Sequence, residues 1–292
     1  MSDTVWTVQR LIEWTTQFLT RKGVDPARLS AELLLAYVLA IPRIKLYTDF
    51  ERVPSPDELA RFRELVRRAG EQEPVAYLTG RAYFFNLEFE VNRDVLIPRP
   101  DTEVLVENVI RLVRSQPESN PHILDLCTGS GCVAAAIAAN IKTAQVTAVE
   151  ISPKAAAVAQ NNIRKLKLED RVEIEEGDLY APLSKKGTRL FSVIAGNPPY
   201  IRSGQIASLD RSVRDYEPAA ALDGGADGLD IHRRIWADAP AHLVEGGHIL
   251  LEIAYDQADA AMNAISGYPS LTEARILKDY GGRDRVMAAR RK

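Results

Sequence analysis

Cysteine is nearly absent from these 292 residues, and the two present, Cys127 and Cys132, flank a single glycine turn. Without a second pair at metal-ligand spacing they suggest neither a zinc site nor a disulfide framework, and both read as small, reduced packing residues. Histidine is also scarce. His122, His232, His242 and His248 show no H-x-x-x-H spacing and no triad partners, so they read as structural or solvated. No apolar run approaches the ~18 residues that a membrane span needs. The start, Met1 to Trp6, lacks the basic-then-apolar order of a secretory signal. A cytoplasmic location without a membrane partner is the expectation. Excess positive charge is missing too: residues 1–80 carry eleven Lys or Arg and eleven Asp or Glu, and the remainder 26 against 29. A nucleic-acid reader normally shows a basic footprint, so direct nucleic-acid binding is not expected.

What is present fits about two domains at roughly 150 residues each. Val5, Val8, Leu11, Ile12, Thr15, Phe18 and Leu19 recur at helical spacing before Gly23. Asp25-Pro26 reads as an N-cap and first-turn pair opening an apolar helix through Leu33, Leu34, Tyr37, Val38 and Ile41, closed by Pro42. Ser55-Pro56-Asp57-Glu58 is a capping box for a third helix through Leu59, Phe62, Leu65 and Val66. A helical domain over residues 1–75 is expected. Residues 76–100 then form a linker with a hairpin strand in Leu87–Val91. In Ile97-Pro98-Arg99-Pro100-Asp101-Thr102-Glu103, two prolines hold Arg99 in an extended segment, and Asp101 reads as the cap of a helix from Val104 to Val113.

The next motif reads as strand, glycine turn and helix: Ile123-Leu124-Asp125-Leu126-Cys127-Thr128-Gly129-Ser130-Gly131, then the small apolar run Cys132 to Ala139. Gly129 and Gly131 let the backbone approach a ligand, and the helix start points free N–H groups into the same space. Glu150 ends the following strand, where a carboxylate can accept both hydroxyls of a ribose. A third strand, Arg171 to Asp178, ends in an acid placed to accept from an exocyclic amine. The run Leu190 to Gly196 reads as a buried strand carrying Asn197-Pro198-Pro199-Tyr200 at its carboxyl end. Two prolines there stiffen the turn and aim the Asn197 side chain and nearby carbonyls at an incoming NH2. By composition alone the tetrapeptide could also be an ordinary strand-ending turn.

Two cofactor classes compete for the glycine turn. Gly129 to Ala134 fits the G-x-G-x-x-A dinucleotide fingerprint, which is weak by itself, and no residue stands out as a hydride-transfer partner. Asp125 four residues before Gly129 instead matches the D-x-x-x-G-x-G form of S-adenosylmethionine-dependent methyltransferases. With Glu150, Asp178 and the Asn-Pro-Pro-Tyr turn in that order, the chain resembles that class.

The resemblance narrows further through Pro74 to Gly80, Ile97 to Glu103, Tyr216-Glu217-Pro218, Asp227-Gly228-Leu229-Asp230, Gly246-Gly247 with Glu252, and Lys278-Asp279-Tyr280 through Val286. Over residues 74 to 292 the chain resembles the release factor glutamine methyltransferases. That family methylates the glutamine of the Gly-Gly-Gln loop of peptide chain release factors. The resemblance implies an α/β fold, a Rossmann-like class I methyltransferase sheet over residues 76–292, with the small helical domain in front as a substrate-docking unit. It implies S-adenosyl-L-methionine as cofactor, held by Asp125, Cys127, Thr128, Gly129, Ser130, Gly131, Glu150, Asp178, Leu179 and Asn197. Asn197, Pro198, Pro199 and Tyr200 would hold the substrate amide, and a release factor would be the protein partner. Cys127, Glu150 and Leu179 stand where glycine, aspartate and an aromatic residue are frequent in the family, departures that bear on cofactor affinity. A sister group acting on a ribosomal-protein glutamine shares the tetrapeptide, and adenine-N6 enzymes use a similar one. The Pro-Asp-Thr-Glu continuation after Arg99 favours the release factor group.

Overall fold

Val8, Leu11, Ile12, Thr15 and Leu19 form the buried side of helix α1 (Val8–Arg21), which starts where the Thr7 hydroxyl accepts the Arg10 N–H. The computed structural model describes residues 5–115, 120–183 and 189–292. Helix α2 (Ala27–Leu39) is almost wholly apolar and buries Leu34, Leu35 and Val38. Asp25 does not cap it. Pro26 itself takes the N-cap position, its carbonyl accepts the Ser30 N–H at 3.0 Å, and the helix ends at Leu39 before Ala40 in the left-handed region. Helix α3 (Pro56–Gly70) opens with the expected capping box: Ser55 Oγ accepts the Glu58 N–H, and Glu58 Oε2 accepts the Ser55 N–H at 2.7 Å. Such caps contribute about 1 kcal/mol each. With the short α4 (Val75–Thr79), these helices enclose a core that includes Leu19, Leu34, Leu35, Phe62 and Leu78.

The chain divides by contacts into two units, one taking residues up to Arg81 with Asp210–Tyr216, the other Ala82–Leu209 with Glu217–Lys292. A two-stranded hairpin, β1 (Arg81–Phe84) and β2 (Leu87–Glu90), turns through Phe85 and Asn86, both at positive φ as a two-residue hairpin loop requires. Asp101 lies in a single 3-10 turn, Pro100–Thr102, and makes an ion pair with Arg285 at 3.0 Å rather than capping α5 (Glu103–Ser115).

Strand β3 (His122–Leu126) leads through the glycine turn into α6 (Cys132–Asn140), then β4 (Gln145–Glu150), α7 (Pro153–Lys165) and β5 (Val172–Glu176). Strand β6 (Phe191–Gly196), the short α8 (Arg211–Arg214), α9 (Asp230–His242), β7 (Leu243–Glu252), α10 (Ala258–Ile265), β8 (Leu271–Lys278) and β9 (Asp284–Arg291) complete the order. Seven strands form one sheet in the order β5-β4-β3-β6-β7-β9-β8. All pairs from β5 to β7 are parallel, and β9 runs antiparallel to both β7 and β8. Parallel strands covered on both faces are apolar throughout, and β6 is buried at every residue. This is the Rossmann-like α/β sheet, and its order reverses between β3 and β6. In open α/β sheets ligands bind at the carboxyl edge of that reversal.

Candidate active site

Both informative motifs open onto this edge. Leaving β3, the chain passes through Cys127, Gly129 and Gly131, all at positive φ. At Gly131 a side chain would sit 3.3 Å from the Ala159 Cβ of α7, so glycine serves both the left-handed turn and close helix packing. At Gly129 a side chain would meet nothing within 4 Å; the space beyond it is the cavity.

Asp125 lies beneath this turn. It is buried, and its Oδ2 accepts from the Thr128 hydroxyl at 2.5 Å and the Ala134 N–H at 3.2 Å, joining strand, turn and helix. Burial pushes its carboxyl up to about 7, against the pull of those two hydrogen bonds. Glu150, at the end of β4, accepts the Gly129 N–H at 2.8 Å on Oε2 and the Ser152 N–H at 3.0 Å on Oε1. Each of its oxygens keeps a lone pair for a further donor. Asn162 of α7 fastens the outer side of the turn, donating to the carbonyls of Ser130 at 2.9 Å and Glu90 at 3.0 Å.

A cavity of roughly 260 Å³ lies against these groups. Cys127, Thr128, Gly129, Ser130, Glu150, Asp178, Leu179, Asn197 and Pro199 line it; Asp125, Gly131, Pro198 and Tyr200 lie outside that lining. Asp178 is half exposed and its Oδ2 accepts from Arg234 at 2.7 Å, a partner the sequence pattern does not single out. Leu179 is buried at positive φ and packs in the core cluster beside Cys127 and Tyr180. Both cysteines are free thiols; burial pushes Cys132 up to about 12 and Cys127 higher, so both remain protonated. Among the described residues no cluster of His, Cys, Asp and Glu could hold a metal ion.

The tetrapeptide is held from behind. Asn197 Nδ2 donates to the Thr102 hydroxyl oxygen at 3.2 Å. The Tyr200 hydroxyl donates to Glu252 Oε1 at 3.1 Å, and the Tyr200 carbonyl accepts from Gln257 at 2.9 Å. Glu252 is fully buried, and burial pushes its carboxyl up to about 7 although the neighbouring Thr102, Tyr200 and Arg285 favour the ionised form. Arg99 forms an ion pair with the buried Glu217, which also accepts the Ile97 N–H at 3.3 Å. The segment around the two prolines is thereby pinned along the cavity wall, which Pro98, Arg99 and Thr102 line.

Comparisons with known proteins place the chain in a family. The model of the PrmC N-terminal domain matches residues 10–80, and that of the methyltransferase small domain matches residues 101–213. A release factor glutamine methyltransferase of Rhodopirellula baltica is 40% identical over 98% of this chain and 97% of its own length. The chain belongs to the release factor glutamine methyltransferase family. A second member, from Geobacter sulfurreducens, is 41% identical over 98% of this chain and 97% of its own. A 16S rRNA methyltransferase of T. thermophilus, solved with AdoMet and guanosine, shares the fold at a TM-score of 0.52 and 18% identity, covering 73% of this chain and 50% of that one. No helix among the described residues is long and apolar enough to cross a membrane.

Family membership leaves open which side chains fix the geometry of the tetrapeptide. Thr102, Glu252 and Arg234 have no local signature: their partners lie 95, 52 and 56 residues away. Only the recurrence of Thr102 and Glu252 within stretches that resemble the family marks them in the sequence.

Proposed function

We propose that this chain transfers a methyl group from S-adenosyl-L-methionine to the side-chain amide nitrogen of the glutamine in the Gly-Gly-Gln loop of a peptide chain release factor. The observation that carries this reading is the placement of Asn197. It follows β6 at the cavity wall, and its Nδ2 is engaged by Thr102, which leaves Oδ1 as an acceptor.

The cavity fits the cofactor. Open space over Gly129 admits close approach of a ligand to the backbone. Glu150 offers its two remaining lone pairs to vicinal hydroxyls, and Asp178 stands on the same wall to meet an exocyclic amine. Cys127, Thr128, Ser130 and Leu179 would line the nucleoside; Asp125 and Gly131 would hold the turn from below. When bound, the cofactor supplies an electrophilic methyl on a sulfonium.

The chain's own groups do the rest by positioning and electrostatics. An amide nitrogen is a poor nucleophile because its lone pair is delocalised into the carbonyl. If Asn197 Oδ1 and the Pro198 carbonyl each accept one N–H, that lone pair is turned toward the methyl. With the cofactor bound, the amide nitrogen would take its methyl as the sulfur–carbon bond breaks, and the extra proton would leave to water. Pro199 stiffens the turn, and Tyr200, anchored through its hydroxyl to Glu252, would hold it from behind. Residues 1–75 would supply the surface that docks the release factor, since one glutamine side chain offers too little contact for selectivity. A cytoplasmic location suits this substrate.

The test is a competition: labelled S-adenosylmethionine, a release factor and bulk nucleic acid in one reaction. Label on the release factor supports the reading, and label on nucleic acid overturns it.

A further inference from the structure

We infer that Gln257 is a positioning residue for methyl transfer, fixing the far end of the turn that carries Asn197. The inference rests on the amide-methylation reading above and adds to it a side chain outside both the tetrapeptide and the cavity lining.

The near end of Asn197-Pro198-Pro199-Tyr200 is fixed by the sheet, since Gly196 pairs with Leu126 of β3 and Leu251 of β7. Proline rings lock φ at the two middle positions. The exit remains, and Gln257 holds it. This residue is fully buried and stands just before α10, in the loop that follows β7, the neighbour of β6 in the sheet. Its Nε2 donates to the Tyr200 carbonyl at 2.9 Å and to the Asp227 carbonyl at 3.2 Å, while its Oε1 accepts the Ala254 N–H at 2.9 Å. A backbone N–H only donates and a carbonyl only accepts. One orientation of the Gln257 amide therefore satisfies all three partners, and the reversed one satisfies none.

The loop that Gln257 joins to Tyr200 lies backbone to backbone against the tetrapeptide. The Ile201 N–H donates to the Leu222 carbonyl at 2.9 Å, and the Ile201 carbonyl accepts the Gly224 N–H at 2.9 Å. At Gly224 a side chain would stand 2.6 Å from the Pro199 carbonyl oxygen and 2.7 Å from Tyr200 Cα. At Gly228, where φ is +80°, it would run into the Tyr200 carbonyl oxygen and Gln257 Nε2 themselves. Glycine at these positions admits the contact, and the Gln257 amide locks it. Tyr200 is thus tied at once to the loop of residues 222–228 and to the loop after β7. Asn197 stands between a fixed strand and a fixed exit, so loss of Gln257 reaches the reacting amide through the turn.

The experiment compares the wild type, Gln257→Met and Gln257→Glu, each also in an Asn197→Ala background, on a release factor and on a short Gly-Gly-Gln peptide. Gln257→Met keeps the length and loses all three bonds. Gln257→Glu keeps Oε1 and sets an oxygen where two carbonyls need donors. Each should lower the single-turnover rate of methyl transfer on the order of 10-fold or more on both substrates alike, while KM for the release factor and Kd for S-adenosylmethionine change less than about twofold. In the Asn197→Ala background the same changes should cost far less, because the group being positioned is gone. Wild-type turnover in a folded variant, even one with a lowered melting temperature, would overturn the inference, as would losses that multiply fully with that of Asn197→Ala. If Gln257→Met does not fold, Gln257→Glu decides alone; if neither folds, the residue serves only the fold and the inference falls. A wild type that labels something other than a glutamine amide would fail the underlying reading, a result separate from any of these.

Discussion

The Gly129 N–H donates to Glu150 Oε2 at 2.8 Å, closing the turn after β3 onto the last residue of β4. One carboxylate thus shapes the backbone that would face the cofactor and keeps lone pairs for the ribose.

Glu150→Ala should weaken S-adenosylmethionine binding by about 1.5–3 kcal/mol, the range for hydrogen bonds to a charged group. That is about ten- to 150-fold in Kd. Titration calorimetry on the variant checks it; unchanged affinity would mean that the ribose is held elsewhere. The wild type should give no heat with NADH.

Asn197→Ala should reduce turnover on the order of 10²-fold or more, by analogy with removal of one preorganised polar group. Cofactor affinity should change far less. Single-turnover methyl transfer beside a binding titration separates the two, and near-normal turnover would place the amide in other hands.

The stability of the fold should fall as pH rises toward neutrality. Glu252 and Asp125 are both pushed by burial up to about 7, from ordinary values of 4.5 and 3.8. The folded chain therefore holds protons that the unfolded chain has released across that window. Stability is fullest below the ordinary carboxylate range and falls as pH rises toward 7. Glu252→Gln should flatten part of that decline in melting temperature between about pH 5 and pH 8. A melting temperature that climbs over this range in the wild type and not in Glu252→Gln would contradict the sign.

A chain beginning at Ala82 should keep cofactor binding, because every residue lining the cavity lies between Asp94 and Arg234. A cut at Glu73 is less clean, since Leu78 belongs to the core of the helices before it. If residues 1–75 dock the release factor, the shortened enzyme should lose far more rate on the whole protein than on a short Gly-Gly-Gln peptide. Equal losses on both would rule docking out.

Legibility in the sequence followed the range of the interactions. The Ser55–Glu58 capping box is written within four residues and forms as written. The strands β3, β4 and β6 are mostly apolar and buried because both faces are covered, and family motifs mark their ends. Asp25-Pro26 has the composition of a cap, yet Pro26 stands one position earlier in the helix than that pattern implies. Asp101 was equally plausible as a cap, but Arg285, far along the chain, engages it. The buried acids Glu217 and Glu252 stand in stretches that resemble the family, but no local pattern shows what they pair with. Their partners Arg99 and Tyr200 are brought to them by the sheet order, which no local pattern encodes. Arg234 meets Asp178 only because α9 follows the strand reversal.

The most direct measurement is mass spectrometric localisation of the methyl group on a release factor incubated with this enzyme and S-adenosylmethionine. The expected result is a single methyl on the side-chain nitrogen of the Gly-Gly-Gln glutamine, absent when that glutamine is replaced and strongly reduced with Asn197→Ala. A methyl at any other residue, or one that persists after replacing that glutamine, would contradict it.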